Sequence, residues 1–430
     1  MKKLLIAATA VLVSSSPLIL LPMEKELTLT SKQVQKLAQN TTVSLSQFKQ
    51  IPKNPRTVTS ILTYKNKELT DFKNNIQADT KLSISAISWN AKGEPVFQLQ
   101  DGDYVAASQK SIIDDSVYDQ KPVDMTLWTK DGLTVYKEPY VSGTDKADSK
   151  LASFKPIKVS RAAQTHAGTY YFADGEGWIN ASDLSTTDNR IEAVQKVLNE
   201  KYNNQESISV YVKQLDTDRI AAINDEKSMY AASVAKLGVL YYAQERLSQK
   251  KLSLSDEYQY TSAVNGFPGA YDPDGSGKIS KMPDDKNYSL ENLLKAVAQN
   301  SDNVATNILG YYVANQYDNS FQKSVDEAAA TSWNMDKKEL TAKTAGTLME
   351  AVYRQNGDII NYLSSTDYDG ERISKNIDVP VAHKIGDAYD FKHDVAIVYT
   401  DSPFILSIFT DKEGYDKITS IADDVYGILK

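Results

Sequence analysis

The chain has 430 residues, with 48 Lys+Arg against 56 Asp+Glu and a net charge of −8. That length calls for two or three domains, and the acidic balance excludes a partner held mainly by phosphate neutralisation, so no nucleic acid is expected. The absence of Cys excludes disulfides, thiolate catalysis, zinc–thiolate sites and a lipidated Cys anchor, and three His (His166, His383 and His393) are too few for a His-rich metal centre.

In chain order, Met1-Lys2-Lys3 precedes an uncharged run from Leu4 to Pro22, the layout of an export segment over residues 1–22. Two fates fit: a signal peptide cut near Ser15, or a retained anchor, since the run almost spans a bilayer. In both, the positive end stays inside and the rest of the chain lies outside, touching membrane only through this segment. Residues 23–55 are polar and close on Pro52 and Pro55, as a linker does. Short alternating runs follow, such as Ser83 to Trp89, separated by Lys92-Gly93 and Asp101-Gly102. The layout recurs about 70 residues downstream, with Asp174-Gly175-Glu176-Gly177-Trp178-Ile179 answering Asp101-Gly102-Asp103-Tyr104-Val105. Two all-β barrels in tandem are therefore expected, over 56–122 and 123–186. The second ends in Gly177-Trp178-Ile179-Asn180, which resembles the Gly-Trp element of bacterial SH3-like cell-wall modules. Trp178 itself reads as a barrel core residue, so wall binding rests on that analogy.

From 187 to 430 the pattern is mixed. Ile191, Val194, Val197 and Leu198 lie at helical spacing, Ser207–Val212 and Arg219–Ile223 read as a hairpin, and a helix-rich middle follows. Three strands (380–385, 395–399 and 404–409) then precede a terminal helix with Ile418, Ile421, Val425 and Ile428 on one face. The first and last helices bracket a sheet built from both ends of an α+β domain.

Ser233-Val234-Ala235-Lys236 stands at the start of a predicted helix. A Ser and a Lys three apart share a helix face, so the amine can act on the hydroxyl while the helix N-terminus favours negative charge there. Ser-x-x-Lys also occurs at Ser46/Lys49, Ser248/Lys251 and Ser320/Lys323, so the motif alone is not diagnostic. Ser301-Asp302-Asn303, however, opens another apolar helix, and His383-Lys384-Ile385-Gly386 lies on a predicted strand before Asp387. This ordered trio is similar to the signature of the class A β-lactamase and penicillin-recognising serine enzymes. The resemblance covers about 187–430 and implies an antiparallel sheet flanked by helices, as in β-lactamases and transpeptidases. It implies Ser233 as acylated nucleophile, Lys236 as its proton partner, Ser301 as proton shuttle to the leaving group and Lys384 as the charge beside Ser301. Asn303 would hold the substrate amide, while the backbone N–H groups of Ser233 and Asp387, beside Gly386, would form the oxyanion hole. Asp302 reads as a helix cap, and His383 and His393 as strand residues.

Two departures matter. Ile385 stands where the family has Thr or Ser, which removes a hydrogen bond to a substrate carboxylate, a loss of about 1.5–3 kcal/mol. Between Asn303 and the 344–353 helix no Glu-x-x-Leu-Asn element supplies a deacylating Glu, and Glu327 and Glu339 read as surface residues. Asp272 to Ile279 mimics half of a Ca²⁺ loop, but Pro283 stands where a bidentate Glu belongs, so no metal and no cofactor are expected. The resulting expectation is an exported cell-envelope serine acyl hydrolase, extracytoplasmic and bacterial, acting on an amide or ester of the cell wall or a peptide-like substrate. β-Lactams would acylate it with little turnover. Two alternatives stay open: a genuine β-lactamase, and a non-catalytic wall- or protein-binding module on the same fold.

Overall fold

The computed structural model describes residues 46–139 and 145–430, so the export segment at 1–22 and the linker up to residue 45 lie outside the described residues. Two compact units divide after Ser116. In the first, β1 (Pro55–Thr57) pairs with β7 (Ile112–Asp114). Its five-stranded sheet runs β3 (Phe72–Ile76), β2 (Ile61–Tyr64), β6 (Tyr104–Ala106), β5 (Pro95–Leu99), β4 (Ile84–Trp89). Alternating apolar residues turn Phe97, Leu99, Val105 and Ile112 into one small core. Phe48 joins that core, 5.4 Å from the Phe97 ring, and its N–H donates to Ala107 O at 2.9 Å. The end of the expected linker is thus anchored by one aromatic in a polar run.

The second unit opens with β8 (Asp119–Thr129), β9 (Val135–Tyr136), β10 (Pro156–Thr165), β11 (Gly168–Ala173), β12 (Gly177–Asn180) and β13 (Leu184–Ser185), ordered β13-β8-β10-β11-β12-β9. The connectivity repeats that of the first unit. A three-strand meander (β4-β5-β6, then β10-β11-β12) takes an early strand on its last member (β2, then β9), and the end strands pair (β1 with β7, β8 with β13). Gly102 (φ 91°) and Gly175 (φ 80°) occupy the matching hairpin turns, where only a residue without Cβ sits unstrained. β8 begins at Asp119, ahead of the expected boundary at 122/123. Its polar first half, Asp119-Gln120-Lys121-Pro122, reads as loop, and only the ladder with β10 makes it a strand, with Pro122 placed at a register shift. Trp178 is buried as expected, beside Phe172 and the Arg161 guanidinium, which lies 3.8 Å from the Phe172 ring centroid.

The same unit continues into the α+β region without a break. The Asn189 side chain donates to Thr129 O at 3.0 Å, and Lys196 pairs with Asp131 at 2.8 Å. Here β14 (Ile208–Gln214), β15 (Ile220–Ile223), β20 (Val381–Ala388), β21 (Phe391–Val398) and β22 (Phe404–Asp411) form an antiparallel sheet in the order β15-β14-β22-β21-β20. Two short ladders lie outside it, β16 (Met229–Tyr230) with β19 (Glu339–Leu340) and β17 (Glu257–Gln259) with β18 (Asn287–Ser289). The first and last helices, α1 (Arg190–Tyr202) and α8 (Tyr415–Leu429), share a core with the sheet made of Ile191, Val194, Leu198, Leu406, Ile408, Ile418 and Ile421. A separate core gathers the others: α2 (Leu237–Ser248), α3 (Leu290–Asn300), α4 (Asn303–Tyr312), α5 (Asn319–Ala329), α6 (Ala342–Gln355) and α7 (Asp358–Leu363). Strands with both faces covered read as continuous apolar runs, which is why β21 and β22 show no alternation in sequence. Among the described residues no helix is long and apolar enough to cross a membrane.

Truncating Ile421, which is fully buried, to Ala should cost about 2–5 kcal/mol. Leu62→Ala, at a half-exposed position, should change stability by less than about 0.5 kcal/mol. Urea-unfolding midpoints of the two variants read the contrast.

Candidate active site

Ser233 lies in a 3₁₀ turn, Ala232–Lys236, that feeds directly into α2. Ala232 has a left-handed φ of 49°, an expensive conformation for a residue with a Cβ. Neighbours hold it there. Ala231 N–H donates to Lys338 O at 2.7 Å, and Tyr271 OH donates to Ala232 O at 3.2 Å. β20 crosses close above this turn, and a Cβ on Gly386 would come within 2.6 Å of Ala231 O, so glycine is required by the approach.

Lys236 is fully buried. Its Nζ donates to Ser301 O (2.6 Å), to Asn303 Oδ1 (2.6 Å) and, at 3.4 Å, to Ser301 Oγ. Ser233 is not among these partners, and among the described residues no carboxylate lies within ion-pair reach of this amine. Burial first, then the charge of Lys384, opposed by Asp302 and supported by Lys338 and Lys281, holds the Lys236 pKa well below the ordinary lysine value. Lys384 is also buried and donates to Ser301 Oγ at 2.7 Å and to Ile385 O at 2.9 Å. Burial lowers its pKa to about 7, against the pull of Asp394.

Ser301 reaches both lysines because it ends α3 in a left-handed conformation (φ 53°), reversing the chain between α3 and α4. Asp302 caps α4 by accepting from Ala305 N at 2.8 Å, as its sequence position suggests. Its other oxygen accepts from Lys278 N (2.6 Å) and Ile279 N (2.9 Å). The Asp272–Ile279 segment is thereby accounted for as a cradle. Asp272 O accepts from Asn303 Nδ2 at 2.7 Å, and Cβ atoms on Gly275 or Gly277 would strike Asn303 or Asp302 within 2.3 Å.

Ser233, Lys236, Ser301, Asn303 and Lys384 therefore gather at the junction of α2, the α3–α4 reversal and β20. Gly386 sits against the Ser233 turn and Asp387 near the end of β20. Ile385 is 4% exposed and offers no hydroxyl. Glu327 and Glu339 are exposed. Both buried histidines lie on strands of the sheet, as expected, and are held by hydrogen bonds. His393 stacks on Phe409 at 4.0 Å, receives Thr410 N–H on Nδ1 and faces Tyr230 O with Nε2, and burial lowers its pKa to about 4. His383 lies between Asp394 (3.0 Å) and Asp369 (3.1 Å).

Lys338 is a site residue that motif reading missed. It lies in the segment between α5 and α6, donates to Gly269 O at 3.0 Å, and is 4.6 Å from the Tyr271 ring, which also has Lys236 at 4.5 Å. From the same segment Trp333 Nε1 donates to Ala235 O at 3.2 Å. No periodicity marks these residues, so only the fold brings them to the turn.

Burial alone would lower the His383 pKa, but Asp394 and Asp369 outweigh it and raise it to about 9. A raised folded-state value stabilises fully below the free imidazole pKa near 6.5 and is lost as pH rises through about 9. His383→Gln should therefore lower the melting temperature at pH 6, with the gap to wild type narrowing between pH 6.5 and 9 in a thermal-melt series.

Residues 189–429 match the model of the beta-lactamase enzyme family, and residues 47–112 match a domain of unknown function, DUF5776. Among solved structures the chain is similar to PBP-A, at 14% identity and a TM-score of 0.48, over 55% of this chain and 96% of that one. It is also similar to a β-lactamase from Sphaerobacter thermophilus (15%, TM-score 0.44, covering 56% and 95%) and to one from Francisella tularensis (18%, TM-score 0.44, covering 56% and 98%). No curated protein matches the chain.

Proposed function

Because the chain belongs to the beta-lactamase enzyme family through residues 189–429, we propose that its α+β region is a serine acyl hydrolase of the cell envelope. The carrying observation is convergence: Lys236 and Lys384, far apart in sequence, both donate to the buried Ser301, and Lys236 shares its 3₁₀ turn with Ser233.

A neutral amine keeps two N–H bonds, enough for the two 2.6 Å contacts of Lys236, and leaves its lone pair for the Ser233 proton. Ser233 Oγ then bonds to the substrate carbonyl carbon while the N–H groups of Ser233 and Asp387 receive the oxyanion. The proton passes from Lys236 through Ser301 Oγ, held by Lys384, to the leaving nitrogen or oxygen as its bond to carbon breaks. Water later takes the acyl group from Ser233, releasing the acid and restoring the hydroxyl. This last step is slow in our reading. The segment between α5 and α6 buries an amine, Lys338, beside Lys236, while Glu327 and Glu339 face solvent. β-Lactams therefore acylate the protein with little turnover.

The export segment would carry the enzyme outside the cell. The repeated strand order, with a 3₁₀ turn (Ala181–Asp183) before β13, supports SH3-like barrels that hold it in the wall.

A fluorescent penicillin and a fluorophosphonate, followed by gel and intact mass, test the reading. Wild type should gain one label that persists for many minutes, and Ser233→Ala should gain none. Rapid release of product from Ser233 would make the protein a genuine β-lactamase. Absence of label from both probes would leave a non-catalytic module.

A further inference from the structure

Beyond Lys384, the exposed end of β20 is matched in charge by the protein itself. Asp387 Oδ2 accepts from Arg372 Nη2 at 2.7 Å and from the Tyr415 hydroxyl, and Oδ1 accepts from Lys392 Nζ at 2.6 Å. Arg372 is 1% exposed, packs 3.9 Å from the Tyr415 ring centroid and is also paired with Glu371. Both cations beside this stretch of β20 are thus occupied by side-chain carboxylates. Ile385, the residue after Lys384, presents hydrocarbon, and Lys384 is committed to Ser301 Oγ and Ile385 O. Burial opposes ionisation of Asp387, but Lys392, Tyr415 and Arg372 outweigh it and hold the carboxyl below its usual range.

Next to this matched patch the surface is aromatic. Tyr389, in the β20–β21 turn, is 85% exposed, and its ring lies 5.9 Å from Tyr230, which lies 6.3 Å from Phe391. Tyr230 stands three residues before Ser233. An exposed tyrosine ring offers a flat apolar face with a polar edge, suited to covering an uncharged ring or chain.

We propose that Asp387 is a built-in carboxylate that selects acyl donors uncharged where they lie along β20, with Tyr389 and Tyr230 as the shelf for the uncharged group. A substrate carboxylate at that place would find both cations already held by Asp387, so no free positive charge there favours it over an uncharged group. The favoured substrate class is an ester or amide whose β20 side carries no free carboxylate, such as an ester or a linkage internal to a polymer. The inference rests on the acyl-transfer reading above.

The test uses the full chain and two esters of phenylacetylglycine, one with 3-hydroxybenzoate as leaving group and one with methyl 3-hydroxybenzoate. Acylation rates of Ser233, each divided by the ester's own rate with hydroxide, give the preference. Wild type should favour the methyl ester by on the order of tenfold or more. Asp387→Asn should cut that preference severalfold, and Tyr389→Ala, at an exposed position, should slow the methyl ester and spare the carboxylate. Equal rates, or a wild-type preference for the carboxylate, would overturn the inference alone. Failure of both esters to acylate Ser233 would overturn the acyl-transfer reading, and the inference with it.

Discussion

A buried lysine amine with no carboxylate in ion-pair reach among the described residues is the constraint around which the α+β region is arranged. Lys236 lies in the interior, donates to neutral oxygens of Ser301 and Asn303, and shares the Tyr271 ring with a second amine. Keeping an ammonium there is costly, because desolvation penalises the charged form and Lys384 adds repulsion. The charged form is thereby disfavoured, in the direction that the proposed acyl transfer requires.

Several local costs hold that arrangement in place. Ala232 and Ser301 both take left-handed backbone conformations, the first next to Ser233 and the second at the end of α3. Such residues persist only where surrounding contacts over-determine them. Here the contacts come from the α5–α6 segment, through Lys338 O and Trp333 Nε1, and from the Asp272–Ile279 cradle on Asp302 and Asn303. The glycines at 275, 277 and 386 make room for these approaches. Rigidity beneath the site also comes from His383, fixed between two carboxylates on the strand that carries Lys384.

Much of the fold is legible in the sequence. Helix α8 follows from the spacing of Ile418, Ile421 and Val425, and the paired hairpin turns from Asp-Gly dipeptides, because both obey local rules. The ordered Ser-Lys, Ser-Asp-Asn and His-Lys-Ile-Gly elements are short local patterns, the first two at helix ends and the third within β20, and the fold brings them together. Lys338 and Arg372 were illegible. Each is a cation in a polar stretch, and its burial depends on elements distant in sequence. The start of β8 was missed for the same reason, since its polar residues become a strand only through the β10 ladder. Phe48 shows the converse, one aromatic being enough to draw a polar run into a core.

The most direct measurement is an NMR titration of the Lys236 side-chain nitrogen in lysine-labelled protein, assigned by comparison with Lys236→Met. The account requires a neutral amine at pH 7, with a midpoint well below that of the exposed lysines. An amine that stays protonated up to pH 10 would contradict it, and the hydroxyl of Ser233 would be left without its base.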